Sequence, residues 1–72
     1  MEPRRTRIGD PADTWVETYE ADEGHYTTLV SRSVGGERVR IERHEDLDLD
    51  AATARHDAVV ASIRAIEAKE RQ

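Results

Sequence analysis

Tyr26-Thr27-Thr28-Leu29-Val30-Ser31-Arg32-Ser33-Val34-Gly35-Gly36-Glu37-Arg38-Val39-Arg40-Ile41-Glu42-Arg43 decides the fold. Apolar residues recur at alternate positions on both sides of Gly35-Gly36, the period of a pleated strand, and a glycine pair between two such runs signals a two-residue hairpin turn. A type I′ or II′ turn there makes Val34 face Glu37, Arg32 face Val39 and Val30 face Ile41. Val30, Val34, Val39 and Ile41 then share one face.

Upstream, Thr14 to Glu20 has the β-branched and aromatic content of another strand, and Ala21-Asp22-Glu23-Gly24 supplies a loop whose glycine can take a positive φ. A four-residue loop pairs Glu20 with His25, Tyr19 with Tyr26 and Trp15 with Val30. The expected core face is therefore Trp15, Tyr19, Tyr26, Val30, Val39 and Ile41, with a mostly polar outer face on which Val16 and Leu29 are cross-strand partners beside Ser31, Arg40 and Glu42. Residues 1–13 carry Pro3, Gly9 and Pro11 among charges, with Ile8 as their one strongly apolar side chain after Met1. They are expected to be a flexible arm.

Downstream, the period changes to that of a helix. Asp50 is the expected N-cap, with Asp48 the alternative. Ala52, His56, Val59, Ile63 and Ile66 fall on one side, flanked by Val60, and should lie across the sheet. Ala54, Ala58, Ala61, Ala65 and Ala68 form a ridge of small residues on the reverse. The fold class implied is α+β: a three-stranded antiparallel meander packed by one C-terminal α-helix (β-β-β-α) over residues 14–72.

A chain of 72 residues fits one domain whose core is marginal without further support. With no cysteine there is no disulfide, and the three histidines lack the partners of a structural zinc site. Self-association is the remaining support, so a homodimer is expected. The formal charge of −5 and pI near 5.1 disfavour general attraction to phosphate backbones. Basic residues are nonetheless clustered: Arg4, Arg5 and Arg7 near the start, and Arg32, Arg38, Arg40 and Arg43 on the second hairpin. No apolar run has the length of a membrane span and the start has no apolar secretion segment, which makes a cytoplasmic location the expectation.

Chemistry near neutral pH would have to involve His25, His44, His56 or a shifted carboxylate. The three histidines fall at a hairpin loop, a strand end and the sheet-facing side of the helix, so they share no site. His56, in an apolar stripe, needs a hydrogen-bond partner. No spacing matches a metal motif, no nucleophile has a base and a pocket, and Gly35-Gly36 precedes no helix as a phosphate loop would. No catalytic residue, cofactor or metal is expected. For nucleic acid, Ser31, Ser33, Arg38 and Arg40 share the outer face and the early arginines could grip phosphates. Against it stand the acidic balance, the lack of exposed aromatic stacking positions, and the possible pairing of the arginines with Glu17, Glu37 and Glu42.

The segment from Val16-Glu17-Thr18 through a glycine hairpin to Ala51-Ala52-Thr53-Ala54-Arg55-His56-Asp57-Ala58-Val59-Val60 resembles small uncharacterised proteins of actinobacteria and their phages. That resemblance covers about two thirds of the chain and implies a source, not an activity. Glu20-Ala21-Asp22-Glu23-Gly24-His25-Tyr26, followed by two strands and a helix, is similar to the β-β-β-α domain of HicB-type antitoxins, where sheet and helix form a dimerising, toxin-contacting module. The chain departs from that group in lacking the proline-containing segment after the second strand and the Gly-Asp-Thr before the helix. The resemblance thus implies the topology rather than the toxin partner.

The functional expectation is a small, homodimeric, non-catalytic protein-interaction module, an accessory or host-modulating protein of a phage or actinobacterium. Its expected surfaces are Val16 and Leu29, Arg38 and Arg40, and Ala54, Ala61, Ala65 and Ala68. The alternatives are a HicB-like antitoxin or regulator contacting toxin or nucleic acid through Arg38, Arg40 and the N-terminal arginines, and a small-ligand or enzymatic role at a dimer seam near His56.

Overall fold

The computed structural model describes residues 3–9 and 13–70. It contains β1 (Arg4–Ile8), β2 (Thr14–Asp22), β3 (His25–Val34), β4 (Glu37–Asp46) and α1 (Leu49–Glu70). The strands form one antiparallel sheet in the order β1-β2-β3-β4, and α1 covers one face of it. The α+β class with a C-terminal helix is as expected; the sheet has four strands where three were expected.

The extra strand is β1, from residues expected to belong to a flexible arm. It pairs with β2 from Arg4↔Thr18 to Ile8↔Thr14. Pairing gives its backbone the partners that a solvated arm finds in water, and it covers what would otherwise be an open edge of β2. Alternation puts Thr6 and Ile8 toward the helix, and Ile8 is 3% exposed, within the core. Residues 1–2 and 10–12 of the expected arm, and 71–72 of the expected domain, lie outside the described residues.

The second hairpin turns as expected. Gly35 and Gly36 have φ of 58° and 84°, as a type I′ turn requires, and Val34↔Glu37 and Arg32↔Val39 are paired. One residue further the ladder slips: Ser31 pairs with Arg40 but Val30 with Glu42, leaving Ile41 as the extra residue of a β-bulge. The expected Val30–Ile41 pair is replaced by Val30–Glu42.

The first hairpin departs further. Asp22 pairs with His25, leaving only Glu23-Gly24 between them, and the register beyond is Tyr19↔Thr27, Val16↔Val30 and Trp15↔Ser31. This is one residue away from the four-residue-loop register, and a slip of one moves every side chain of a strand to the other face. Trp15 and Tyr19 therefore lie on the outer face. Thr14, Val16 and Thr18 lie under the helix, all buried.

The core is small: Ile8, Val16, Val30 and Val60, with Val59 and Ile63 packed against it, and Ala52 also buried. On α1 the expected stripe faces the sheet, with Ala52, His56 and Val60 buried and Ile66 at its exposed end. The N-cap is Asp48, the alternative of the two aspartates: its Oδ1 accepts the Ala51 N–H at 2.8 Å. Among the described residues no helix is long and apolar enough to cross a membrane.

Candidate binding surface

Strand alternation sorts the side chains of the sheet by chemistry. The outer face receives Arg5 and Arg7 from β1, Trp15, Glu17 and Tyr19 from β2, Leu29, Ser31 and Ser33 from β3, and Arg38, Arg40, Arg43 and Glu45 from β4. Contacts among these residues agree with that assignment. The Arg38 guanidinium sits 4.5 Å from the Trp15 ring centroid, and Glu17 accepts hydrogen bonds from Arg38 and, at 3.3 Å, from Arg5. Arg43 pairs with Glu45 at 2.9 Å. Five arginines thus share this face with two glutamates, and among the described residues no carboxylate is paired with Arg7 or Arg40.

Most of the sheet's acids lie on the other side, which also carries Arg4 and Arg32 by register. Glu20, Glu42 and Asp46 face the helix by register, and Asp57 and Glu67 belong to the helix itself. Asp46 holds Arg55 by two hydrogen bonds, at 2.7 and 3.2 Å, and Glu42 meets His44 at 3.1 Å. Of the acids expected to neutralise the outer arginines, Glu17 does so. Glu42 turns toward His44, and Glu37, opposite Val34, lies on the helix side of the register.

Under the helix, His56 is fully bonded. Its Nδ1 lies 2.8 Å from Thr18 Oγ1 and its Nε2 2.8 Å from Thr6 Oγ1, while Thr18 Oγ1 also meets Thr28 Oγ1 at 2.8 Å. Hydroxyls both donate and accept, so this chain satisfies a neutral imidazole in either tautomer. Burial first, then the nearby Arg4 charge, pushes its pKa below the ordinary 6.5, partly offset by Asp57. Among the described residues no buried side-chain nitrogen or oxygen is left without a partner. The partners that the sequence showed His56 to need are threonines.

Two open grooves flank α1. The larger, of about 530 Å³, runs between helix and β4, with Ala54, Ala58, Val59 and Ile66 on one wall and Glu42, His44 and Asp46 on the other. The smaller, of about 160 Å³, is lined by Ile41, Ile63 and Ile66 with Arg32 and Glu67. His56 lines neither. Among the described residues no group of three or more His, Cys, Asp or Glu side chains is arranged to hold a metal ion.

The expected surface residues are placed unequally. Val16 is fully buried opposite Val30, so it is no part of any surface, and its expected pairing with Leu29 does not occur. Leu29 pairs with Glu17 on the outer face, in the same field as Arg38 and Arg40. Ala54 borders the larger groove, and Ala61, Ala65 and Ala68 are exposed along α1. Trp15 and Tyr19 are the members that sequence reasoning missed. The available signal was Glu17, which shares their parity and would have been buried had they been core residues.

No protein-family model, curated protein or solved structure matches the chain.

Proposed function

We propose that this protein is a non-catalytic binding module that offers its outer sheet face to an anionic partner and pairs with a second copy of itself through the helix side. The supporting observation is the bias of charge by strand parity: five arginines against two glutamates, with two aromatic rings, on the uncovered face, and Glu20, Glu37, Glu42 and Asp46 against Arg4 and Arg32 on the helix side. Arginine, tryptophan and tyrosine are the residues that most often dominate binding energy, because each combines a broad flat surface with a polar group. Leu29 is the single aliphatic residue among those assigned to this face.

The self-association half rests on the other side. The buried apolar set is small for a folded domain, while Val34, Val39, Ile41 and Ile66 stand 41–56% exposed on the helix side. A second copy would cover them. This surface replaces the alanine ridge alone as the proposed seam, with Ala54 at its border.

Retention on a heparin column tests the anionic-partner reading, since a protein of pI near 5.1 has no bulk reason to bind. The expected result is retention at low salt that is lost in an Arg7→Gln/Arg40→Gln variant. Flow-through of the unmodified protein at low salt overturns the reading. Light scattering over a dilution series tests the dimer: an Ile41→Asp/Ile66→Asp variant is expected to shift a dimer to a folded monomer, and a wild-type monomer at every concentration removes that half.

A further inference from the structure

We infer that the anion recognised by the outer face is a single-stranded nucleic acid, with bases stacking at Trp15 and Tyr19 and phosphates held by the surrounding arginines. This rests on the anionic-partner reading above and deepens it. Trp15 and Tyr19 are four residues apart on one strand and project from the same face, which puts them roughly 13 Å apart along β2. That span falls within a site of about four nucleotides, at the small end for single-strand binding surfaces.

Arginines flank the Trp15 row on both sides, while the Tyr19 row ends at Glu45 on β4. Arg7 is directly opposite Trp15 on β1, and across β3 the same row continues through Ser31 to Arg40. Arg5, Glu17, Leu29 and Arg43 form the next row, and Tyr19 lies one row beyond, opposite Thr27. A nucleic-acid strand running along β2 from Trp15 to Tyr19 would pass between Arg7 and Arg5 on one side and Arg40 and Arg43 on the other. Arg38, over the Trp15 ring, offers its own guanidinium plane for stacking or swings to a phosphate.

Two competing partners fit less well. A duplex keeps its bases stacked inside, and entering its major groove takes a helix or a two-stranded ribbon. Here the β3–β4 ribbon projects beyond its pairing with β2 only from Ser33 to Arg38, too short to lie along a groove. An acidic protein would want a desolvated apolar centre, and this face has Leu29 alone as an aliphatic residue, while Val34, Val39, Ile41 and Ile66 are on the other side. The net charge of −5 does not forbid the contact. The outer face's own acids, Glu17 and Glu45, are paired with Arg38, Arg5 and Arg43, and a Debye length of about 8 Å at physiological ionic strength mutes the acids behind the sheet at the outer surface.

Trp15 is the only tryptophan, so its fluorescence reports the proposed stacking directly. The experiment titrates the full chain with an oligothymidine of about 15 nucleotides, the matching duplex and polyglutamate. Quenching by the single strand is expected, with affinity falling roughly 20- to 130-fold between about 50 and 200 mM salt if three to five phosphates are engaged. A labelled oligonucleotide should bind the Trp15→Leu and Tyr19→Leu variants at least tenfold more weakly, with circular dichroism unchanged, while Arg40→Gln should lower both affinity and salt slope. Equal binding of duplex and single strand overturns the assignment of a single strand. Binding of polyglutamate or heparin without the oligonucleotide overturns nucleic acid as the ligand and leaves the anionic-partner reading standing; binding of no polyanion overturns both.

Discussion

Thr6 Oγ1 and His56 Nε2 are 2.8 Å apart across fifty positions of sequence, bonding the edge strand to the middle of the helix. Among the described residues His56 is the largest fully buried side chain, and its other nitrogen is held by Thr18. The sheet and the helix are therefore joined through a polar centre inside an apolar core of a few valines and isoleucines. Replacing Thr6 with valine keeps the shape and removes the hydroxyl, leaving one buried imidazole nitrogen without its partner. The expected cost is about 1–3 kcal/mol, read as a lower denaturant midpoint at unchanged slope. Thr6→Ser should retain most of the stability. A Thr6→Val variant as stable as wild type would show that β1 contributes no bond to the helix.

The same histidine sets a pH dependence. Burial and Arg4 hold its folded pKa below the ordinary 6.5, so between that folded value and 6.5 the unfolded chain binds more protons than the folded one. Stability contributed by the neutral imidazole is present above about pH 6.5 and declines as pH falls toward the folded pKa. Unfolding free energy measured from pH 8 downward should begin to drop near 6.5, before most carboxylates titrate. In His56→Gln, stability should start lower and stay flatter over that window. Arg4→Gln, which removes the second cause of the depression, should move the His56 NMR titration upward. A midpoint at or above 6.5 in the wild type would contradict the buried, charge-disfavouring setting.

Adjacent residues of β2 should respond unequally to truncation. Val16 is fully buried against Val30, so Val16→Ala is expected to cost about 2 kcal/mol by lost burial and an incompletely closed cavity. Trp15→Thr keeps a strand-favouring residue on the outer face and loses the Arg38 contact, for which about 1 kcal/mol or less is expected. Thermal or denaturant melts of the two variants decide between the registers, because the four-residue-loop register predicts the reverse order.

That comparison also marks how far the sequence could be read. The glycine pair at 35–36 carried its own geometry, since both residues need positive φ, and the pairings nearest that turn are those expected. The helix stripe was equally legible, because Ala52, His56, Val59, Ile63 and Ile66 repeat with the helical period and Val60 flanks them. The first loop was not: Asp22-Glu23-Gly24 permits more than one closure, and alternation alone cannot say which parity of β2 is inside. Large aromatics suggested one answer, while Glu17 on their side and Thr14, Val16 and Thr18 on the other gave the opposite one. The threonines won because the helix brings a histidine that needs hydroxyl partners. β1 was hidden for a related reason: a strand with one isoleucine and one threonine facing inward has little hydrophobic pattern, and its stability comes from backbone pairing and from His56.

Asp48 and Asp50 were both candidates to start the helix, and the geometry distinguishes their roles. Asp48 accepts the Ala51 N–H through its side chain and the Ala52 N–H through its backbone carbonyl at 3.1 Å, the two bonds expected of an N-cap. Asp50 lies inside the first turn, where its charge only complements the helix dipole. Asp48→Ala should therefore destabilise by about 1 kcal/mol, and Asp48→Asn, which keeps the acceptor without the charge, by a few tenths. Asp50→Ala should cost no more than about 0.5 kcal/mol, a loss that salt reduces because it is electrostatic. Chemical denaturation of the three variants at low and high salt separates the contributions. Equal losses at the two positions would mean that the helix frays back to Asp50 in solution, removing the bond that fixes the link between β4 and α1.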